Sequence, residues 1–338
     1  MKIKLTLPAS WGRNPTISAF LERDGRLSGH EFFVDPLRQE ADAWFVFDEV
    51  NPEDNFCRVP KDGVFFVTAE SVWADDHWLH PERHQFLMQF SHVFSSHVSN
   101  HPNFHASPPF LPWMVHGNHG TTWVPHARDL TALRAAPEPE KVHPLSVICS
   151  TKTRHPGHRV RLEFVKRLKA HFGETLHWYG NGVNPIADKW VGLAPYYATI
   201  SIENQVKPDL YTEKFFDPLL AHTIPIYAGA PNIGDFFEVP DEWRINLRDF
   251  AGSVQTIEEL LHSRGKENAR LIQQNRDIAL GEAHFLQRIC DIVHVFEPAQ
   301  GVHDLYLKTV EGPNRKRVFL PKSMAVALRR LSPRMSFF

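Results

Sequence analysis

Residues 196–232 read YYATISIENQVKPDLYTEKFFDPLLAHTIPIYAGAPN, and the elements they dictate decide the fold. Tyr197 to Ile202 is a short run of aromatic and β-branched residues, the composition of a buried strand. It ends in the acid and amide pair Glu203 and Asn204. After a loop, Thr212 suits the N-cap of a helix reaching Ala221, with Glu213 and Lys214 in its first turn. Ile224 to Tyr227 then reads as another strand. Strands alternating with helices indicate a parallel sheet covered by helices.

Working outward, the same alternation recurs upstream: strand Leu145 to Cys149, a helix near Arg159 to Phe172, and strand Leu176 to Tyr179. The first half shows short runs of its own at Lys2 to Leu7, Glu31 to Val34, Ala43 to Phe47 and Val64 to Thr68. At 338 residues the chain exceeds the roughly 250–300 at which one core stops growing. The fold class is therefore α/β, with two Rossmann-like domains facing a cleft. The linker-like APEPEKVHP, Ala136 to Pro144, sets the expected boundary: 1–135, 136–310, and a tail over 311–338. The Pro-, Gly- and Trp-rich stretch from His101 to Pro125 predicts a long functional loop. Helices are expected after Thr256, among them Lys266 to Leu280 and Ala283 to Phe296.

The charge balance, 37 Lys and Arg against 39 Asp and Glu, argues against a nucleic-acid binder. Three cysteines, Cys57, Cys149 and Cys290, lie far apart and fit neither a disulfide framework nor a thiolate zinc knuckle. With no spanning apolar run either, the expected location is the cytoplasm. Ten of the 21 histidines fall between His77 and His126. The spacings of His77, His80 and His84, and of His97, His101 and His105, raise a metal site, but Pro102 interrupts the second set and no HExxH accompanies either. No GxGxxG, GxxxxGK[ST] or GxSxG occurs, which weakens dehydrogenase, P-loop kinase and α/β-hydrolase readings.

The chemistry concentrates at the helix beginning after Thr212. Unpaired N–H groups and partial positive charge there favour a phosphate, and Lys214 adds a full charge. The site follows a strand, where open α/β sheets bind ligands. A second cation stands in the upstream helix, where Val160, Phe164 and Leu168 form an apolar stripe and Arg161 lies in the first turn. The plainer readings are a solvated Lys214, an Arg161 paired with a surface acid, and Glu203 and Glu213 as a cap and a surface carboxylate.

IENQVKPDLYTEKFFDPLLAHTIPIYAGAPNIGDFF strongly resembles the donor-binding motif of the α-1,3/1,4-fucosyltransferases, glycosyltransferase family 10. STKTRHPGHRVRLEFVKRL resembles that family's preceding basic helix, and GVFFVTAESVW resembles its strand ending in E-S-P, with Val72 replacing the proline. Leu210 and Tyr211 also depart from the usual tyrosine and valine. The resemblance implies a GT-B-type inverting glycosyltransferase that moves L-fucose from GDP-fucose to a glycan or glycolipid hydroxyl. Glu70 would be the catalytic base; its plainer reading is a strand-end carboxylate capping the next turn. Arg161, Glu203, Asn204, Thr212, Glu213 and Lys214 would bind the donor. The chain contains no DxD, which fits an architecture with no metal ligand and no cofactor beyond the donor substrate. A different nucleotide sugar, or a non-catalytic metal-binding protein on this scaffold, are the alternatives. The tail holds seven Lys or Arg between Arg315 and Arg334 and no acid, as would a helix on an anionic membrane at the inner face or one packed on the protein.

Overall fold

The computed structural model describes residues 1–8, 17, 21, 25–69, 81–97, 99–112, 115, 117–118, 122–123, 128, 130–263, 265–296, 298 and 301–309. Glu70, His77, His80 and the tail over 311–338 lie outside the described residues. The N-terminal half runs β1 (Lys2–Thr6), β2 (Arg26–Leu27), β3 (His30–Phe33), β4 (Ala43–Phe47), β5 (Phe56–Val59), β6 (Val64–Val67), α1 (Pro81–Leu87), β7 (His92–Ser95), β8 (Phe104–Ala106), β9 (Gly117–Asn118), β10 (Thr122–Trp123) and α2 (Leu130–Ala135). The remainder runs β11 (His143–Ile148), α3 (Pro156–Phe172), β12 (Leu176–Tyr179), β13 (Tyr196–Ile202), α4 (Glu213–Leu220), β14 (Ile224–Ala228), α5 (Phe250–Ser263), α6 (Lys266–Leu280), α7 (Phe285–Phe296) and β15 (His303–Tyr306).

Two sheets carry the molecule, in the two-Rossmann GT-B arrangement. The first has the order β2-β3-β1-β4-β6-β7-β8, parallel except where β2 meets β3. The second, β12-β11-β13-β14, is parallel throughout. After β12 the chain crosses back to lay β13 on the other side of β11. The carboxyl ends of β11 and β13 therefore flank a topological switch point, where such sheets open a crevice.

Both faces of the first sheet are covered, and this changes the meaning of its first strand. The alternation of lysine with apolar residues in β1 does not mark a solvated face: Lys4 is 0% exposed. Its ammonium lies 2.6 Å from Asp54 and donates to the Phe56 carbonyl at 3.0 Å. A buried charge persists because a carboxylate meets it. Trp44, Val46 and Phe66 pack with Phe86, Leu87 and Phe90 on one face. Ile3, Leu5, Phe45, Phe47 and Phe65 pack on the other with Phe285, Leu286, Ile289 and Val293 of α7.

That last contact moves the domain boundaries. Phe110 and Leu111 belong to the N-terminal core, whereas Val115 and Leu133 belong to the C-terminal one, so the chain changes core before α2 and not at 136–144. It returns between Leu280 and Phe285, and the expected unit 136–310 loses its last helix to the first sheet, whose face that helix's apolar side completes. β15 pairs with β5, which the sequence reading missed altogether.

Other differences are local. The expected loop from His101 to Pro125 contains edge strand β8 and the β9–β10 pair. The helix expected after Thr256 already begins at Phe250. His97, His101 and His105 turn to different neighbours, Lys207 at 3.1 Å, the Phe90 carbonyl at 3.0 Å and His92 at 3.1 Å. Among the described residues no three His, Cys, Asp or Glu groups converge as metal ligands, and no helix is long and apolar enough to cross a membrane.

Candidate active site

A hollow of about 170 Å³ opens at the carboxyl ends of β11 and β13, lined by Cys149, Ser150, Ser201 and Ile202 from the strand ends and by residues of α3 and α4. Glycines set the fit around it. A Cβ on Gly157, in the first turn of α3, would fall 1.6 Å from the Asn204 carbonyl oxygen, so only glycine lets that helix start against the loop leaving β13. A Cβ on Gly180, at φ +139°, would fall 2.4 Å from the carbonyl oxygen of Cys149.

The start of α4 is built around Thr212. As N-cap it accepts a 3.4 Å bond from the Lys214 amide. Its own amide and hydroxyl donate to Glu203 at 2.7 and 2.8 Å, joining the end of β13 to the helix. Glu203 is 3% exposed, and burial pushes its pKa up although Lys214 draws it down. The Lys214 ammonium lies 2.9 Å from the Thr212 hydroxyl, 3.2 Å from Glu213 and 3.4 Å from Glu203. Burial opposes its charge, but Glu203 and Glu213 outweigh that and hold its pKa above the ordinary lysine value.

Arg161 comes from the facing helix. The expected stripe on α3 is turned: Val160 is 53% exposed, and the buried face runs through Arg161, Leu162, Phe164, Val165 and Leu168. Arg161 therefore sits on the inner face and is only 8% exposed, and among the described residues no acid forms an ion pair with it. Its guanidinium bonds Cys149, whose thiol burial raises and Arg161 draws down. Among the described residues its Nε atom has no hydrogen-bond partner, nor do Asn204 Oδ1 and Gln205 Oε1 just after β13. Most buried polar groups are hydrogen-bonded, so these atoms are free to meet a ligand.

Arg161 and Lys214 thus share one hollow, together with Glu213. Lys152, Lys189 and Asp217 complete its charges, giving four cations against two carboxylates on the lining. Lys189 is held 3.0 Å from Asp217 and 3.7 Å from Glu213. Lys189 belongs to no motif that sequence reading could find, since the short turn Lys189–Gly192 reaches the site only through folding, and Lys152 lies in the stretch that resembles the family's basic helix without standing out there. The positive field is felt by His158, brought down to about 4 by burial and then by Arg161, His155, Lys152 and Lys214. Glu203 and Thr212 stand behind this wall, bound to each other.

Across the cleft the first sheet contributes the ends of β4, β6 and β7. The Asp48 carboxylate accepts from the Ala69 amide at 2.9 Å, fixing the chain just before position 70. Lys207, in the loop before α4, reaches His97 beyond β7 at 3.1 Å.

Residues 140–273, which hold this hollow, match the sequence model of "Glycosyltransferase family 10 (fucosyltransferase) C-term". That stretch is similar to the family 10 C-terminal domain. Alpha-(1,3)-fucosyltransferase B of Drosophila melanogaster is 41% identical over 68 residues, 20% of this chain and 15% of that protein. A putative fucosyltransferase-like protein of Arabidopsis thaliana is 38% identical over 56 residues, 17% of this chain and 11% of that protein. The chain's match thus spans only a small part of these curated relatives. Among solved structures, an α1,3-fucosyltransferase with GDP-fucose is 16% identical, covering 90% of this chain and 92% of that one at a TM-score of 0.47. An α-glucosyltransferase in complex with UDP and a 13-mer DNA is 10% identical, covering 87% and 99% at 0.50, a likeness of fold alone.

Proposed function

We propose that this chain transfers L-fucose from GDP-fucose to a glycan hydroxyl with inversion at the anomeric carbon. The observation that carries the reading is the single hollow, at the switch point of the family 10-like domain, into which Arg161 and Lys214 both open beside the first turn of α4. A departing diphosphate is an anion, and preorganised cations and exposed amides favour the transition state in which that charge grows. Arg161 grips the phosphates with a planar fork, Lys214 supplies a point charge, and Lys189 and Lys152 extend the field. Asn204, with its unpartnered side-chain oxygen, and Glu213 contact the nucleotide and sugar. Glu203 acts one step back, as a positioning residue that fixes Thr212 and, through it, Lys214. Glu70, beyond the end of β6, takes the acceptor proton. No divalent metal is assigned a role in this scheme.

The test is GDP release from GDP-fucose in the presence of acceptor glycans. Lys214→Ala and Arg161→Ala should each lower turnover by about 10²–10³-fold while melting remains cooperative. Glu70→Gln should abolish transfer and leave GDP binding intact. Wild-type turnover in the Lys214 and Arg161 variants would remove the assignment. Thermal stabilisation by UDP or CMP in preference to GDP would instead select another donor.

A further inference from the structure

The C-terminal domain has a second basic pocket at the opposite pole of its sheet. It has a volume of about 310 Å³ and is lined by Arg134 of α2, Glu138, His222 just ahead of β14, and Gln273 and Arg276 of α6. Parallel strands place it far from the donor hollow, because His222 precedes β14 whereas the donor hollow lies beyond the last residues of β11 and β13.

Its cations are fixed in place by neutral partners. Arg276 is buried and donates to the carbonyls of Leu133 and Leu220. Arg134 donates to the Leu280 carbonyl at 2.9 Å. Behind them Lys141 donates to the carbonyls of Ala194 and Ala221 and to the Thr223 hydroxyl, and burial pulls its pKa down to about 8. Among the described residues no carboxylate forms an ion pair with any of the three, and Glu138 is the one acid on the pocket lining. Carbonyls orient a guanidinium without cancelling its charge, so the pocket keeps a positive field.

His222 supplies the second, independent observation. It is 7% exposed and borders the pocket, its ring bonds the Ala136 backbone, and its buried Nε2 atom has no hydrogen-bond partner among the described residues. The backbone there is left-handed, φ +54°, a conformation that glycine or asparagine adopts at less cost. The turn alone therefore does not call for an imidazole.

We propose that this pocket is an anion site for a phosphate group, held by Arg134, Arg276 and the His222 ring. The pocket is roomier than the ion itself requires, so the phosphate can be inorganic or the end of a small phosphorylated molecule. The site is independent of the donor hollow and of the reaction assigned there.

Titration calorimetry on the full chain tests it, with inorganic phosphate and ribose 5-phosphate as probes. The variants are His222→Asn, which suits the left-handed backbone, Arg134→Gln on an exposed helix position, and Lys214→Ala to disable the donor hollow. Each of the first two should weaken one phosphate-binding event about tenfold, the loss expected for one charge-assisted hydrogen bond, while Lys214→Ala leaves that event in place. Binding indifferent to both His222→Asn and Arg134→Gln, or abolished by Lys214→Ala alone, overturns the proposal. So does the absence of any binding in the wild-type chain. Tighter binding of ribose 5-phosphate than of phosphate identifies a phosphorylated small molecule as the occupant; equal binding identifies the ion.

Discussion

Thr212 is the residue on which the donor wall turns. Its hydroxyl meets both oxygens of Glu203 at 2.8 Å, and the Lys214 ammonium approaches the same atom at 2.9 Å. Thr212→Val keeps the shape and removes the hydroxyl, leaving a buried carboxylate short of donors. Stability should fall by about 2–3 kcal/mol, read as a lower urea midpoint at unchanged slope. A drop below about 0.5 kcal/mol would mean that the bonds to Glu203 are dispensable. At this scale the sequence was readable where the chemistry is local: a threonine before Glu and Lys announces a helix start wherever it occurs. Lys189 and Asp217 were not readable, because their pairing joins a short turn to a helix that only tertiary structure brings together.

Among the elements, the approach of α3 to the loop after β13 decides whether Arg161 faces the ligand. Gly157→Ala would drive a methyl group into the Asn204 carbonyl. We expect a loss of about 3 kcal/mol or more and a donor affinity reduced with it, measured by chemical unfolding and by GDP titration. Unchanged stability would show that α3 can retreat freely. Strands β11 to β14 and their helices were legible because apolar runs and caps alternate within short stretches. The turning of α3 was not. An apolar stripe through Val160 looks sound until one finds that the true inner face includes an arginine, which the hollow keeps polar. The β5–β15 pairing left no trace either, since strand partners distant in sequence carry no local signal.

For the whole molecule, acid is the revealing condition. Burial lowers His158 and His222 to about 4 and His284 to about 3, with neighbouring cations adding to the effect. Folded values below the unfolded 6.5 mean that these rings favour the neutral form. Their contribution to stability is complete above pH 6.5 and is lost as pH falls through about 4. Urea midpoints should be flat between about pH 6.5 and 7.5 and decline steadily between pH 6.5 and 4, with His158→Gln reducing the slope; a midpoint constant down to pH 4.5 would contradict this.

The two crossings between the cores are held together on the N-terminal side. Arg288 donates to the Ser107 hydroxyl and to the carbonyls of Pro108 and Pro109, and stacks 3.8 Å over Phe110. Arg288→Met should cost about 3 kcal/mol or more, since it strands several buried acceptors, and should lower the calorimetric midpoint accordingly. Because Arg288 lies just after the return crossing and Ser107 to Phe110 just before the outgoing one, both passages of the backbone run side by side. A body hung from two neighbouring points on one post can swing, but it cannot spin or drift away. The one motion such a two-point attachment leaves easy is a swing about the line through both passages, and the Lys207–His97 contact across the two units is the one that a swing would open.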